Sequence, residues 1–464
     1  MHRQRNASCA ALLLALSVSA GAATRNGDPD PNFGIDGASV VDIGAGDGSW
    51  VDIARTPDGK LLLGGTYDAG LPTGRDMVVA RLHADGSLDT SFSFDGKVEI
   101  VVGPGDSADV LFDVLVQPDG RIVLAGAATS PVAADGIDMA IVRLNADGSF
   151  DNSFGVGGKV FVDFNLGGVD VSDIARAVAR FPDGKLIVAG STPVTGAGND
   201  MALVKLNPDG SRDTSFGTGG RTTVRFQLSA TFRKDEAAAV AVDSLGRVVV
   251  AGSTTKNSDA DTDFAVARLL ANGQLDTSFS GDGRHTVAFD FAPPFEDDGF
   301  GLLLGADDSI TLTGGASDNG SDMAVARLNP DGSAMAGFGI AGKVTVPFDL
   351  GGNNGEFAIS AMPHGDRLLL VGTGAADLGG ADPEQVTMVA QLLGDGQLDT
   401  DFGNFGKVVL ANSTGGTMMA SSVAIPDGGR ALLATVTSNV DDEALLAAQS
   451  ILLDVLFSDG YDSD

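Results

Sequence analysis

The residues that usually carry chemistry are few in this chain, and they are scattered. Apart from His2, the histidines are His83, His285 and His364, which lie far apart. The sequence has no H-E-x-x-H pair, no nucleophile elbow and no phosphate-binding loop. We therefore predict no catalytic residues and a protein that is not an enzyme.

Acidic residues are abundant, with 62 Asp and Glu against 29 Lys and Arg, for a formal net charge of −33. This charge disfavours nucleic acid and anionic membrane surfaces as partners. It is compatible with cations, basic proteins and neutral glycans. Paired carboxylates for glycosidic or lyase chemistry stay open as an alternative, although no pair stands out among so many acids.

One acidic motif has the spacing of metal ligands. Asp259, Asp261 and Asp263 form D-x-D-x-D, which offers alternate carboxylates to a hard cation such as calcium. Phe264 stands where a complete calcium loop needs glycine. The motif predicts a candidate calcium site, with a solvated acidic loop as the alternative, and no other cofactor is indicated.

The first 22 residues have the features of a secretory signal peptide. Arg3 and Arg5 precede an apolar stretch over residues 9–20, and Ala20-Gly21-Ala22 supplies a cleavage site. The single cysteine, Cys9, lies inside this leader, so the mature chain 23–464 would have no thiols or disulfides. No later segment reaches transmembrane length. We expect a bacterial protein that is secreted, periplasmic or attached to the cell surface.

One short phrase recurs along the chain at intervals of 59–64 residues, which indicates a repeat architecture. Seven repeats cover about 28–86, 87–148, 149–210, 211–273, 274–332, 333–396 and 397–464. Each phrase centres on a phenylalanine that we predict to be a buried wedge between neighbouring repeats. These residues are Phe33, Phe92, Phe154, Phe216, Phe279, Phe338 and Phe402.

Each repeat contains four short strand-like segments. In the second repeat they are residues 97–102, 110–117, 121–125 and 138–145, and Pro118-Asp119-Gly120 forms a tight turn between the second and third. Seven such four-stranded antiparallel units predict an all-β, seven-bladed β-propeller, since neighbouring blades must cover both faces of each sheet. A β-solenoid is the structural alternative.

The recurring phrases L-D-T-S-F-G-x-x-G-K-V, Q-P-D-G-K-I-x-x-A-G and D-x-A-x-x-R-L-N-x-D-G resemble the delta-60 repeat of bacterial exported proteins. The resemblance covers about residues 28–460. It implies propeller blades and carries no established activity. Residues 453–460 imitate the phrase once more, either as the stub of an eighth repeat or as a short terminal tail.

The connections between strands predict where a ligand would bind. The first-to-second and third-to-fourth connections share one face and vary in sequence, so we call it the variable face; the repeated turns share the other, the constant face. Candidate residues on the variable face are Trp50, Tyr67, Phe295, Glu296, Asp297 and Asp298.

These observations predict a monomeric, non-catalytic scaffold that binds a protein or a glycan. The alternatives are a carbohydrate-active hydrolase or lyase with acids near the central channel, and a calcium-stabilised adhesin.

Overall fold

The computed structural model describes residues 25–43, 49–68, 74–104, 107–131, 136–166, 172–196, 198–228, 234–258, 261–289, 296–317, 321–350, 355–376, 384–410, 418–424, 429–438 and 444–453. Every regular element in these residues is a β-strand. Within them no helix is long and apolar enough to cross a membrane. The predicted signal peptide over residues 1–22 and the terminal segment from residue 454 lie outside the described residues.

In chain order the strands are β1 (Ala38–Asp42), β2 (Ser49–Arg55), β3 (Leu61–Asp68), β4 (Gly74–Leu82), β5 (Lys97–Ile100), β6 (Ser107–Ala108), β7 (Val110–Val116), β8 (Ile122–Thr129), β9 (Ile137–Leu144), β10 (Lys159–Val162), β11 (Ile174–Arg180), β12 (Leu186–Val194), β13 (Gly198–Leu206), β14 (Arg221–Val224), β15 (Asp235–Val242), β16 (Val248–Thr255), β17 (Thr262–Leu269), β18 (Arg284–Val287), β19 (Asp297–Leu304), β20 (Ile310–Ser317), β21 (Ser321–Leu328), β22 (Lys343–Val346), β23 (Phe357–His364), β24 (Arg367–Ala376), β25 (Glu384–Leu392), β26 (Lys407–Leu410), β27 (Met418–Ala424), β28 (Arg430–Ser438) and β29 (Ala444–Leu452).

These strands form seven antiparallel sheets of four strands each, which confirms the all-β, seven-bladed propeller; β6 adds a short parallel pairing to β4. Each sheet takes the second, third and fourth strands of one repeat and the first strand of the next, as in the order β2-β3-β4-β5. Blades and sequence repeats are therefore offset by one strand. Because of this offset, the outer strand of each blade belongs to the next repeat, which joins consecutive blades both through the chain and through strand hydrogen bonds.

The ring closes by pairing the two ends of the chain. The innermost strands β2, β7, β11, β15, β19, β23 and β27 contact one another in that order, and β27 contacts β2. β1 pairs with β29 and completes the seventh blade, with Val41 opposite Leu446. An ion pair between Arg430 and Asp30, 3.0 Å from Nη1 to Oδ2, lies beside this junction.

The core consists of seven apolar clusters, each between two neighbouring blades. All seven repeated phenylalanines are 0–1% exposed. Arg143 of the second repeat lies over the ring of Phe154 at 4.4 Å, and its Nε donates to Asp151 at 2.8 Å. Its Nη1 donates to the carbonyl of Pro208 in the following repeat at 2.5 Å. Arginine therefore ties consecutive repeats together at the phenylalanine wedge.

Six of the innermost strands carry a β-bulge at the same place, and in β2 the bulge falls one residue earlier. A bulge inserts one unpaired residue and changes the direction of a side chain. In β11 the unpaired residue is Arg176, between Ala175 and Ala177. The facing glycine is required, because a Cβ on Gly190 would lie 1.8 Å from the carbonyl oxygen of Ile174. Equivalent glycines meet the same contact at 1.7–2.0 Å, namely Gly126, Gly252, Gly314 and Gly372.

Candidate functional site

Two of the residues predicted for the ligand face are buried. Tyr67 is 8% exposed and packs in the core between the first and last blades. Burial and a hydrogen bond with Glu99 raise the pKa of its hydroxyl. Asp297 is 0% exposed, and its Oδ2 accepts the backbone N–H of Phe289 at 2.6 Å. The expectation that these two side chains face a ligand is corrected, since both are committed to internal contacts.

The other four predicted face residues are described only in part. Glu296 is exposed and Asp298 is half-buried, both at the start of β19. The backbone of Trp50 belongs to β2, while its side chain and all of Phe295 lie outside the described residues. The role of these four residues in binding stays a prediction.

The D-x-D-x-D motif is described in part. Asp259 lies outside the described residues, whereas Asp261 and Asp263 are buried. Asp261 accepts a hydrogen bond from Asn257, and Asp263 lies 3.8 Å from the ammonium of Lys256. Calcium binding by the motif stays a prediction.

Asp297 belongs to a buried series that the sequence did not reveal. At the start of five innermost strands a carboxylate accepts a backbone N–H from the segment that follows the preceding outer strand. The five residues are Asp109, Asp173, Asp235, Asp297 and Glu356, and all are 0–2% exposed. They fix the inner end of each blade on the variable face. Backbone N–H donors stabilise these buried carboxylates, so the five residues position the starts of the innermost strands and do not line the open face.

Glu356 gives this series a measurable pH dependence. Burial chiefly raises the pKa of Glu356 to about 7, and the charges of Asp322 and Asp349 add to this effect against two backbone hydrogen bonds. A folded-state pKa above the ordinary 4.5 means that its contribution to stability is present below pH 4.5 and is lost as the pH rises through 7. Between pH 5 and pH 8, ionisation of Glu356 should lower the free energy of unfolding by up to about 3 kcal/mol. We expect the Glu356→Gln variant to lack this decrease.

The measurement is the free energy of unfolding by denaturant at both pH values, for the mature protein, Glu356→Gln and a control. Glu296→Gln is the control because this carboxylate is exposed in the preceding repeat. The difference between wild type and Glu356→Gln should grow with pH in favour of the variant. A difference of the same size at pH 5 and pH 8 would show that the carboxyl group does not titrate in this range.

A second group of polar residues on the innermost strands joins four blades. Asp52 on β2 accepts the backbone N–H of Val114 on β7 at 2.7 Å, and Asp113 on β7 accepts that of Val178 on β11 at 2.6 Å. Asp52 also has side-chain hydrogen bonds with Asp113 and with Ser422 on β27. These bonds connect the innermost strands of the seventh, first, second and third blades.

The two carboxyl groups are hydrogen-bonded to each other, and the pKa of each is raised. Burial raises the pKa of Asp52, and burial together with the charge of Asp52 raises that of Asp113 well above its usual value. Two catalytic carboxyl groups of a glycosidase stand about 5 Å or more apart to admit the sugar or water. A pair joined by a hydrogen bond is too close for that arrangement, and its inter-blade bonds give it a positioning role.

The bulged residues place a different set of side chains at the variable-face end of the innermost strands. The guanidinium of Arg176 on β11 lies 4.4 Å over the ring of Phe112, the bulged residue of β7. Glu236 on β15 interacts electrostatically with Arg176, and it accepts a hydrogen bond from Asn199 at 2.9 Å. Burial lowers the pKa of Arg176, and Glu236 opposes that shift. The result is an ordered aromatic, cationic and anionic group on three consecutive blades.

Two more aromatic rings continue this arc. Phe300, the bulged residue of β19, meets Phe357 of β23 edge to face with centroids 5.8 Å apart. Both rings are half-buried, as are Phe112, Arg176 and Glu236. We call these five residues the axial arc. Aromatic faces beside a planar cation and a carboxylate can stack on a sugar ring and hydrogen-bond to its hydroxyl groups.

Sequence reasoning missed the axial arc because it looked for a site in the connections rather than in the strands. A signal was present in the repeats themselves. The position five residues before the Pro-Asp-Gly turn is Asp52, Asp113 and Ala177 in the first three repeats, and the residue before it is Val51, Phe112 and Arg176. The second of these positions differs in every one of the three repeats, whereas the position after the first stays β-branched as Ile53, Val114 and Val178.

Five segments of the chain, 56–92, 117–154, 182–216, 246–279 and 305–334, match a family model described as "Domain of unknown function (DUF5122) beta-propeller". The first four segments end at the repeated phenylalanines, and all five begin near the turn before the third strand of a repeat. The match therefore covers the repeated scaffold and leaves out the innermost strands with the axial arc. The family description does not use the name delta-60, but a β-propeller repeat is compatible with that resemblance. No curated protein is similar enough in sequence to match this chain.

Several solved structures are similar in fold at low identity. A protein of unknown function from Dyadobacter fermentans is 11% identical, with a TM-score of 0.46 over 74% of this chain and 94% of that chain. An ulvan lyase is 12% identical, with a TM-score of 0.46 over 93% and 94%. An α-L-arabinofuranosidase of Fusarium graminearum is 8% identical, with a TM-score of 0.38 over 93% and 97%. At these values none of the three bears on what this chain binds.

Proposed function

We propose that this chain is an extracytoplasmic, non-catalytic propeller that binds a neutral glycan at the axial arc on its variable face. The observation that carries the proposal is the stacking of Arg176 on Phe112 beside Glu236. Stacking fixes the plane of the Arg176 guanidinium, and the neighbouring carboxylate of Glu236 orients its N–H groups. Such a group suits a ligand with both an apolar ring face and hydroxyl groups.

The charge of the whole chain supports a neutral ligand. A formal net charge of −33 repels polyanionic polysaccharides at a distance, and Glu236 offsets the charge of Arg176 at the site. A glycan without carboxylate or sulfate groups is not repelled by the net charge of the chain, and it does not need an uncompensated positive charge at the site. The predicted signal peptide supports an extracytoplasmic location, where such polysaccharides occur.

The test is binding of the mature protein, residues 23–464, to immobilised neutral and acidic polysaccharides. We expect a neutral glycan to bind, and we expect Phe112→Ala and Arg176→Ala each to weaken its binding about tenfold, or about 1.4 kcal/mol. Arg176→Lys should bind as weakly as Arg176→Ala, because lysine cannot reproduce the planar stack. Phe94→Ala is the control, since Phe94 is 101% exposed on the constant face.

Each outcome separates the proposal from its alternatives. Binding that is unchanged in Phe112→Ala and Arg176→Ala, or lost in Phe94→Ala, would place the ligand elsewhere. If the protein binds no glycan but does bind another protein, the glycan proposal fails and the function is a scaffold for a protein partner. Release of sugars from a bound glycan, measured as new reducing ends, would favour the carbohydrate-active alternative.

A further inference from the structure

Three carboxylates converge at the junction of the second and third blades. Asp138 is the second residue of β9, Asp163 directly follows β10, and Asp173 directly precedes β11. One oxygen from each lies within 4.8 Å of the oxygens of the other two, and among the described residues this is the one group of three acids or histidines so arranged. Asp138 and Asp173 are buried, and Asp163 is half-buried.

One oxygen of this group has no hydrogen-bond donor. Oδ2 of Asp173 accepts the backbone N–H of Phe164 at 2.7 Å, whereas its buried Oδ1 has no partner of ordinary geometry. Burial, together with the charges of Asp163 and Asp138, raises the pKa of Asp173, and hydrogen bonding with Thr192 and Phe164 offsets this only in part. An unpaired buried carboxylate oxygen is costly, and a cation is the group that would satisfy it.

The next blade shows how the same position is stabilised when a cation is built in. Asp200 and Asp235 occupy the places of Asp138 and Asp173, and Arg225 occupies the place of Asp163. Arg225 binds both oxygens of Asp200 at 2.7 and 2.8 Å. Thr254 donates to Oδ1 of Asp235 at 2.5 Å. One blade therefore carries its own positive charge where its neighbour has a third carboxylate.

We propose that Asp138, Asp163 and Asp173 bind one calcium ion. Calcium lies about 2.3–2.6 Å from its oxygen ligands, so two oxygens on one ion are separated by at most about 5 Å. The three oxygens lie within 4.8 Å of one another, so one calcium ion can reach all of them without rearrangement. Water completes the coordination on the half-exposed side of Asp163. The ion fixes the junction of two blades and is independent of glycan binding.

The experiment is titration calorimetry of the chelator-treated mature protein with calcium chloride. We expect one saturable site with a dissociation constant on the order of 10⁻⁴–10⁻³ M, the range of extracellular calcium modules. Asp163→Asn and Asp173→Asn should weaken it at least tenfold. Asp261→Asn is the matched control, because Asp261 is a buried acid of the D-x-D-x-D motif in another blade. Full retention of the site in Asp163→Asn, or its loss in Asp261→Asn alone, would overturn the proposal, as would the absence of saturable binding up to 10 mM.

A second variant distinguishes loss of a ligand from loss of folding. Asp163→Arg reproduces the arrangement of Arg225 with Asp200, so it should raise the melting temperature in chelator and abolish the further rise with calcium. In chelator, wild type should melt at a lower temperature than Asp163→Arg, and calcium should raise the melting temperature of wild type. A variant that still responds to calcium as wild type does would contradict the assignment.

Discussion

Deleting residues 23–43 should leave a protein that no longer unfolds in one cooperative transition. The deletion removes β1, which completes the seventh blade, together with Phe33, which is 0% exposed. Truncating a buried phenylalanine alone costs about 3–5 kcal/mol, and here the strand that covers β29 is lost as well. The total, more than about 5 kcal/mol, is comparable to the whole stability of a typical domain. The measurement is thermal and denaturant unfolding followed by circular dichroism.

Complementation in trans is the control for this deletion. A peptide of residues 25–43 supplies the missing strand, and we expect it to restore cooperative unfolding, since β29 then regains its partner. The same peptide with Phe33→Ala and Val41→Asp should fail, because both side chains are buried at the junction. A truncated protein that melts like the full mature chain would mean that the ring does not depend on this closure.

Replacing Gly190 with alanine should cost at least about 3 kcal/mol of unfolding free energy and should also weaken glycan binding. The new Cβ would lie 1.8 Å from the carbonyl oxygen of Ile174, and a backbone atom cannot be relieved by a change of rotamer. The strand would have to give up the bulge that holds Arg176 over Phe112. Stability is measured by denaturant unfolding and binding by the polysaccharide assay.

Ser191→Ala is the matched control, since this neighbouring residue is 6% exposed in the same strand and the change adds no atom. We expect it to cost less than about 1.5 kcal/mol and to leave binding unchanged. A stable Gly190→Ala protein with full binding would show that β12 accepts a side chain there and that the bulge is not held by this contact.

The architecture was predictable because the period and the turns are local signals. The spacing of residues such as Phe92 and Phe154 predicted the number of blades, and Pro118-Asp119-Gly120 located a hairpin. The offset between repeats and blades was not predictable, since it depends on which repeat supplies the outer strand. A carboxylate such as Asp297 in a variable connection has the sequence pattern of a surface acid. Its burial follows from the need of the Phe289 N–H for an acceptor, which is a tertiary requirement.

The candidate site was less predictable for a related reason. Arg176 lies inside a strand whose alternation assigns it to one face of the blade, and only the bulge brings its guanidinium over Phe112. The bulge has an indirect signature in the alanine-glycine pair that ends the recurring third-strand phrase, as at Gly126 and Gly190. Composition could indicate many acids but could not identify Asp138, Asp163 and Asp173 as the three that converge.

The closed ring also determines how this molecule can come apart. A linear array of repeats frays from its ends, one unit at a time, because a terminal unit has only one neighbour. Here Asp30 pairs with Arg430 across 400 positions of sequence, so the first and last units are neighbours and no unit is terminal. Because every unit has two neighbours, unfolding the first unit must break two interfaces at once, so we expect a slow first step of unfolding and resistance to proteases. The same link forms only after the last strand has been synthesised, so we expect folding to be completed late.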